Sequence, residues 1–407
     1  MRCCALCLVS GLLSVALAVP SSTFAQSTTP STAHIYVQTK SGVDVFNANA
    51  AGQLTMVSGS PFPDTGEMEA VRGNALISVG TTWLHSYAIE ANGAVGPQLA
   101  EVNTANYEGS ECGTTDNSGS ILDHTGEYFS VQLYGALTDD GNNYLCDAWQ
   151  TYKVASNGEF TFVGAWVGTQ SSDDSKYEYE NSPLEVNLRT VSSNNKYVYG
   201  WVGDPDGIYF VPFTRASSGE IMLNEDFTET DPTPQPGSQP YPNPDSPDYF
   251  PQGVAADPSG HLGALLVGNG TPYIASYTIN PSNGSITSTN SWKNMPTTNH
   301  NYPLAMSPAG NLLALASTDQ YPDGVAIFHF NGAAPATYFT TFLPKVQIDL
   351  MAWDKSNHLY MLSYETDKIY VYTVTPTSVT PVAGSPYSVP GAAKGAWEET
   401  GFVVVPQ

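Results

Sequence analysis

The sequence predicts an all-β fold: a seven-bladed β-propeller of four-stranded antiparallel blades. Three observations point to it. A unit of short strands and turns recurs with a period of roughly fifty residues. The first unit lacks an opening strand, and a strand-like segment at the far end of the chain is left over to supply one. The composition, with 24 Tyr, 36 Gly and 30 Pro and only 13% charged residues, suits many short strands joined by turns.

The clearest unit runs from Gly253 to Asn290. An apolar strand meets the turn Asp257–His261, and a second apolar strand follows. A third strand alternates as YIASYTI, and a fourth follows the Asn283–Gly284 turn. The residue after each first turn sets the register: Ala75, Glu127, Lys196, His261, Asn311 and His358. These mark six units. A seventh, His34–Val57, has the later strands only, and Gly401–Pro406 is expected to complete it and clasp the ring. The phrases LTMVSGSPF and VTPVAGSPY, at Leu54–Phe62 and Val379–Tyr387, then fall at the fourth strands of the first and seventh blades, which a closed ring makes neighbours.

Residues 1–25 read as a signal peptide. Arg2 precedes the apolar run Ala5–Val19, which is shorter than the ~20 residues a membrane-spanning helix needs. Cleavage after Ala18 or after Ala25 fits, the second being preferred because Pro20 follows Ala18 closely. A short linker, 26–32, leads to one propeller domain over 33–407, with long inserted loops expected at about 134–147, 169–186 and 224–252. The protein is therefore expected to be secreted or periplasmic, and monomeric. Removal of the leader leaves two cysteines, Cys112 and Cys146. An even pair in an exported chain is most simply a disulfide, and both cysteines fall in loops assigned to one face of the ring.

Thirteen Lys and Arg stand against 38 Asp and Glu, a formal net charge of −25. That balance excludes nucleic acid and anionic membrane as main partners. The inserted loops concentrate acid and tyrosine, including Glu69, Tyr177 and Tyr179, with little beyond Lys176 as counter-charge. Such a face suits a neutral sugar, a cation or a basic partner, and it repels a phosphorylated substrate.

The apolar second strand, the Tyr/Phe-x-apolar third strand, the Asn-Gly turn and the Leu54–Phe62 phrase resemble the lactonase family of seven-bladed propellers. That family includes the bacterial propeller-type 6-phosphogluconolactonases, and the resemblance covers essentially all of 33–407. It implies lactone hydrolysis, with Arg and His at the start of a first strand in a Pro-Arg-His-like motif. This chain departs from the motif: Asn187, Gln252 and Tyr302 stand near the expected Arg positions, while Arg189 and His300 lie close by but out of register.

Ring-ester hydrolysis needs an activated water and a group that holds the developing oxyanion. His300, Arg189, Glu185 and Asp349 are the candidate catalytic residues. Glu69, Asn187, Gln252, Tyr302, Tyr177 and Tyr179 are the candidate binding residues. In PLEVNLRTV, alternation sets Glu185, Asn187 and Arg189 against Val186 and Leu188, so the polar three are expected on one side. No His/Cys cluster points to zinc and no cofactor motif is present; the Asp139–Asn143 turn offers oxygen ligands that Ca²⁺ could use, without an EF-hand pattern. Two functions are carried forward. One is a lactonase-like enzyme acting on a neutral sugar lactone or related ring ester. The other is a non-catalytic propeller that binds carbohydrate or a protein partner through its acidic, Tyr-rich loop face.

Overall fold

The computed structural model describes residues 31–63, 66–112, 119–139, 142–171, 185–204, 207–223, 250–267, 273–288, 293–294, 303–317, 324–332, 334–392 and 401–407. The expected signal peptide and its cleavage points lie outside them, as do most of 169–186 and 224–252.

Seven antiparallel sheets follow one another along the chain. From inner to outer strand, blade 2 is Glu67–Arg72, Ala75–Val79, Trp83–Ile89 and Val95–Asn103, and blade 3 is Ser120–Leu122, Tyr128–Asp139, Asn142–Val154 and Phe160–Ser171. Blade 4 is Glu185–Val191, Tyr197–Asp204, Gly207–Arg215 and Ile221–Leu223, and blade 5 begins with Phe250–Ala256, His261–Val267 and Tyr273–Ile279. Blade 6 opens with Leu304–Met306 and blade 7 with Leu350–Trp353. Blade 1 combines the two ends: Phe402–Pro406 is its inner strand and pairs with Ala33–Thr39, Ala33 opposite Pro406 and Val37 opposite Phe402. Each inner strand touches the inner strands of its two neighbours, from blade 1 through blade 7 and back, so the ring is closed. The leftover C-terminal segment supplies the strand that the N-terminal unit lacked.

Adjacent residues of one strand serve different blade interfaces. Leu76 packs on Tyr36 and Val43 of blade 1, whereas Ile77 packs on Phe129 and Tyr152 of blade 3. This is the two-residue period of a strand buried on both faces. It explains why the second strands read as continuous apolar runs rather than as alternation: Ala75–Val79, Leu312–Ala316 and His358–Ser363 are buried throughout. Each fully buried Leu, Ile or Val contributes about 1.5–3 kcal/mol over exposure.

The duplicated phrases perform one structural task twice. After Leu54–Met56 the outer strand of blade 1 leaves the ladder, and Ser60 Oγ accepts the N–H of Val45 at 3.1 Å; Phe62 then rejoins opposite Val43. In blade 7, Ser385 Oγ accepts the N–H of Val371 at 2.9 Å, and Tyr387 rejoins opposite Ile369. Each serine fills the break in the ladder that its own turn creates. The two segments are neighbours as expected, with Gln53 Nε2 donating to Ala383 O.

Two differences from the sequence reading stand out. Residues 134–147, expected as an inserted loop, continue the strands: Tyr128–Asp139 pairs with Asn142–Val154 as a long hairpin. Gln252, placed in the last loop, lies inside the strand Phe250–Ala256. The cysteine pair is bonded: Cys112 and Cys146 form a fully buried disulfide.

Candidate functional site

In every blade the inner strand pairs on one side only, so its other edge, with backbone N–H and C=O groups outside the ladder, faces the central channel. Between the inner strands of blades 4 to 7 lies a cavity of about 180 Å³, lined by Arg189, Gly253, Val254, Pro303, Leu304, Leu350 and Met351. A cavity of roughly 150 Å³ accommodates one benzene ring, so the volume suits a single small ring. Among the described residues of this lining, Arg189 is the only charged one.

Local strand irregularity puts Arg189 there. Val186 and Leu188 enter the core between blades 3 and 4, as the alternation predicted. Leu188 then pairs with Gly200 and Thr190 with Tyr199, which leaves Arg189 as an extra, bulged residue; strict alternation ends at this point. Thr190 Oγ1 accepts the N–H of Ala256 at 3.1 Å and ties the bulge to blade 5. Two other inner strands carry the same irregularity. Glu69 is the extra residue between the pairs Met68–Ser78 and Ala70–Ile77, and Gln252 the extra residue between Pro251–Leu266 and Gly253–Leu265. A bulge frees one residue from the ladder and re-aims its side chain, and bulges concentrate beside active sites. Arg189, Glu69 and Gln252, singled out from sequence for their place before a first turn, are thus the three bulged positions of the inner strands among the described residues.

Asp349 immediately precedes Leu350 and Met351 in the chain but is not itself among the residues lining the cavity. Its carboxylate is fixed by two donors, Gln347 Nε2 to Oδ1 and the Tyr364 N–H to Oδ2, each at 2.8 Å. Its own N–H donates to Leu362 O at 2.9 Å. Burial pushes the Tyr364 phenol well above its ordinary value, and the charges of Asp349 and Glu67 push it further. One tyrosine therefore senses carboxylates from blade 7 and from blade 2, across blade 1. The segment leading to Asp349 holds Leu343 and Lys345 at φ 52° and 67°, left-handed backbone that costs a non-glycine residue roughly 1–3 kcal/mol.

The other candidates are not placed. His300, Tyr302, Tyr177 and Tyr179 lie outside the described residues. Glu185, Asn187, Glu69 and Gln252 are described through their strands, not their side chains. The Ca²⁺ candidate Asp139–Asn143 includes 140–141, also outside. Among the described residues no group of three or more His, Cys, Asp or Glu could hold a metal.

A second arrangement has no signal in the sequence. Asp147 Oδ2 accepts the Val186 N–H at 2.6 Å and Gln132 Nε2 at 2.8 Å, while Gln132 Nε2 and Trp149 Nε1 both donate to Val186 O, at 2.9 and 3.1 Å. Blade 3 thus grips both backbone polar groups of Val186, three residues before Arg189, with the Cys112–Cys146 bond adjoining Asp147 in sequence. Asp147 was hidden inside a stretch read as loop. The pairs Asp257–His261 (3.0 Å) and Asp354–His358 (2.7 Å) were also missed, although Asp four residues before His recurs in two units. They brace the first turns of blades 5 and 7.

No family model matches the chain, and no curated protein matches it. Solved structures do. A candidate 6-phosphogluconolactonase from Bacteroides uniformis superposes with a TM-score of 0.59 at 14% identity, covering 91% of this chain and 99% of that one. Another from Bacteroides fragilis gives 0.59 at 15% identity, covering 93% and 100%. A protein from Lactobacillus plantarum gives 0.58 at 12%, covering 92% and 100%. The chain therefore has the seven-bladed propeller fold found in these candidate 6-phosphogluconolactonases, a likeness that at such identity extends to the fold alone.

Proposed function

We propose that this protein is a lactonase-like propeller that opens an unphosphorylated sugar lactone or related ring ester in its central channel. The observation that carries the reading is Arg189, held at a strand bulge as the one charged residue, among those described, that lines a cavity sized for a single ring. The open strand edges around it offer backbone donors and acceptors to a neutral, hydroxylated ligand. The guanidinium would hold the carbonyl oxygen as negative charge develops, and Asp349, the residue before the lining Leu350, would take the proton of the attacking water. Attack forms the bond from water oxygen to carbonyl carbon, the ring C–O bond breaks, and the alkoxide leaves with a proton. His300 and Glu185 are proposed alongside them, and Asn187, Gln252, Tyr302, Glu69, Tyr177 and Tyr179 as substrate contacts. The chain's net charge of −25 argues against a phosphorylated substrate.

One observation favours the alternative, a non-catalytic binder of carbohydrate or a protein partner. Both oxygens of Asp349 already accept hydrogen bonds, as a structural carboxylate does. Acid release from glucono-δ-lactone in a pH-stat separates the two readings. The enzyme reading expects turnover above the spontaneous rate, lost in Arg189→Ala and reduced in Asp349→Asn. Wild-type protein that binds the lactone without releasing acid would establish the second reading instead. We also propose that the protein is exported, secreted or periplasmic; the Cys112–Cys146 bond supports this, since disulfides persist in oxidising compartments.

A further inference from the structure

Blade 2 carries a row of rings away from the channel. Along its third strand, Trp83, His85 and Tyr87 share one face, while Leu84 turns to the blade 3 interface. The Trp83 and His85 rings lie 4° from parallel with centroids 6.4 Å apart, and the Tyr87 ring follows 6.1 Å beyond. Tyr87 packs inward on the blade 1 interface, and the row emerges to solvent at Trp83, which is 39% exposed.

The outer strand sets polar groups directly opposite: Asn103 faces Trp83, Glu101 faces His85 and Gln98 faces Tyr87. Gln98 Nε2 donates to Glu101 Oε2 at 2.9 Å, which orients the carboxylate, and His85 Nε2 lies 3.8 Å from the same oxygen. The Glu101 side chain is 56% exposed, so its carboxylate remains open to solvent.

We propose that this face is a binding site for a neutral oligosaccharide, independent of the channel. A pyranose presents a flat C–H face, which the exposed indole matches, and in-plane hydroxyls, which an oriented carboxylate and amide at the edge of the ring row accept and donate to. The alternatives fit less well. One exposed indole is far too little for a protein interface of about 800 Å² per partner. The net charge of −25 opposes anionic glycans and anionic membranes.

Titration of the intact protein with cellohexaose, xylohexaose and maltohexaose, followed by calorimetry and tryptophan fluorescence, tests the assignment. At least one is expected to bind, with affinity falling about tenfold or more in Trp83→Ala and falling also in Glu101→Ala, while Arg189→Ala binds as wild type. Because Trp83 and Glu101 are exposed, both variants are expected to keep the wild-type melting temperature, which separates lost binding from lost folding. Failure of all three sugars to bind wild type overturns the proposal, as does unchanged affinity in folded Trp83→Ala. Neither result bears on lactone turnover.

Discussion

Replacing Asp147 by alanine removes the acceptor that holds the start of the inner strand of blade 4. Asp147 is 1% exposed, and its Oδ2 takes hydrogen bonds from the Val186 N–H and from Gln132 Nε2. In Asp147→Ala both donors stay buried, since Gln132 is itself 1% exposed and Val186 is fully buried. Gln132 Nε2 keeps its bond to Val186 O, but a hydrogen bond to a charged group is worth about 1.5–3 kcal/mol, so losing two costs about 3–6 kcal/mol, and about 4 is the central expectation. Unfolding entropy of roughly 2.1 cal/mol/K per residue, taken over a propeller of this length, is on the order of 0.8 kcal/mol/K. The melting temperature should therefore fall by about 5 °C. Differential scanning fluorimetry reads that shift, with the exposed Glu159→Ala as control. Amide exchange adds a local readout: the Val186 N–H should lose protection in the variant while the Val198 N–H, deeper in the same blade, keeps it. A melting temperature within about 1 °C of wild type, with Val186 still protected, would refute the idea that this carboxylate anchors the strand carrying Arg189.

Two other predictions concern stability. Burial raises the Asp354 carboxyl, but hydrogen bonds from the His358 ring and backbone, the His358 charge and the Ser356 N–H outweigh it and leave the group below its ordinary value. A depressed folded value means that the unfolded chain binds the proton more readily, so this stabilisation is present above roughly pH 4. It is lost as the pH falls through the folded value; denaturant titrations at about pH 6 and pH 3 should show a steeper acid loss in wild type than in Asp354→Asn. Removing the Cys112–Cys146 bond by a double serine substitution opens a loop with a sequence separation of 34 and should cost roughly 3–4 kcal/mol in the chain-entropy treatment. Equal denaturation midpoints for the oxidised wild type and the double variant would contradict it.

The sequence by itself determined the blade order and the closure. Both follow from local pattern: apolar second strands buried on two faces, turns at recurring positions, and an N-terminal unit missing the strand that Phe402–Pro406 supplies. It also pointed to the disulfide partners, since two cysteines remain once the expected leader is set aside. Only the tertiary structure decided how the site is built. The bulge at Arg189 is a count of residues against a partner strand, Gly200 and Tyr199, and a single strand read alone cannot reveal the extra residue. The grip of Asp147 on Val186 joins positions 39 apart in different blades, so no spacing rule contains it. The duplicated serine phrases show the boundary between the two: their repetition is visible in the letters, while their task, closing a broken ladder at Val45 and at Val371, exists only where the neighbouring strand is in place. Local pattern specifies which surface of a strand is apolar, but which groups meet across blades is set by the register of the closed ring.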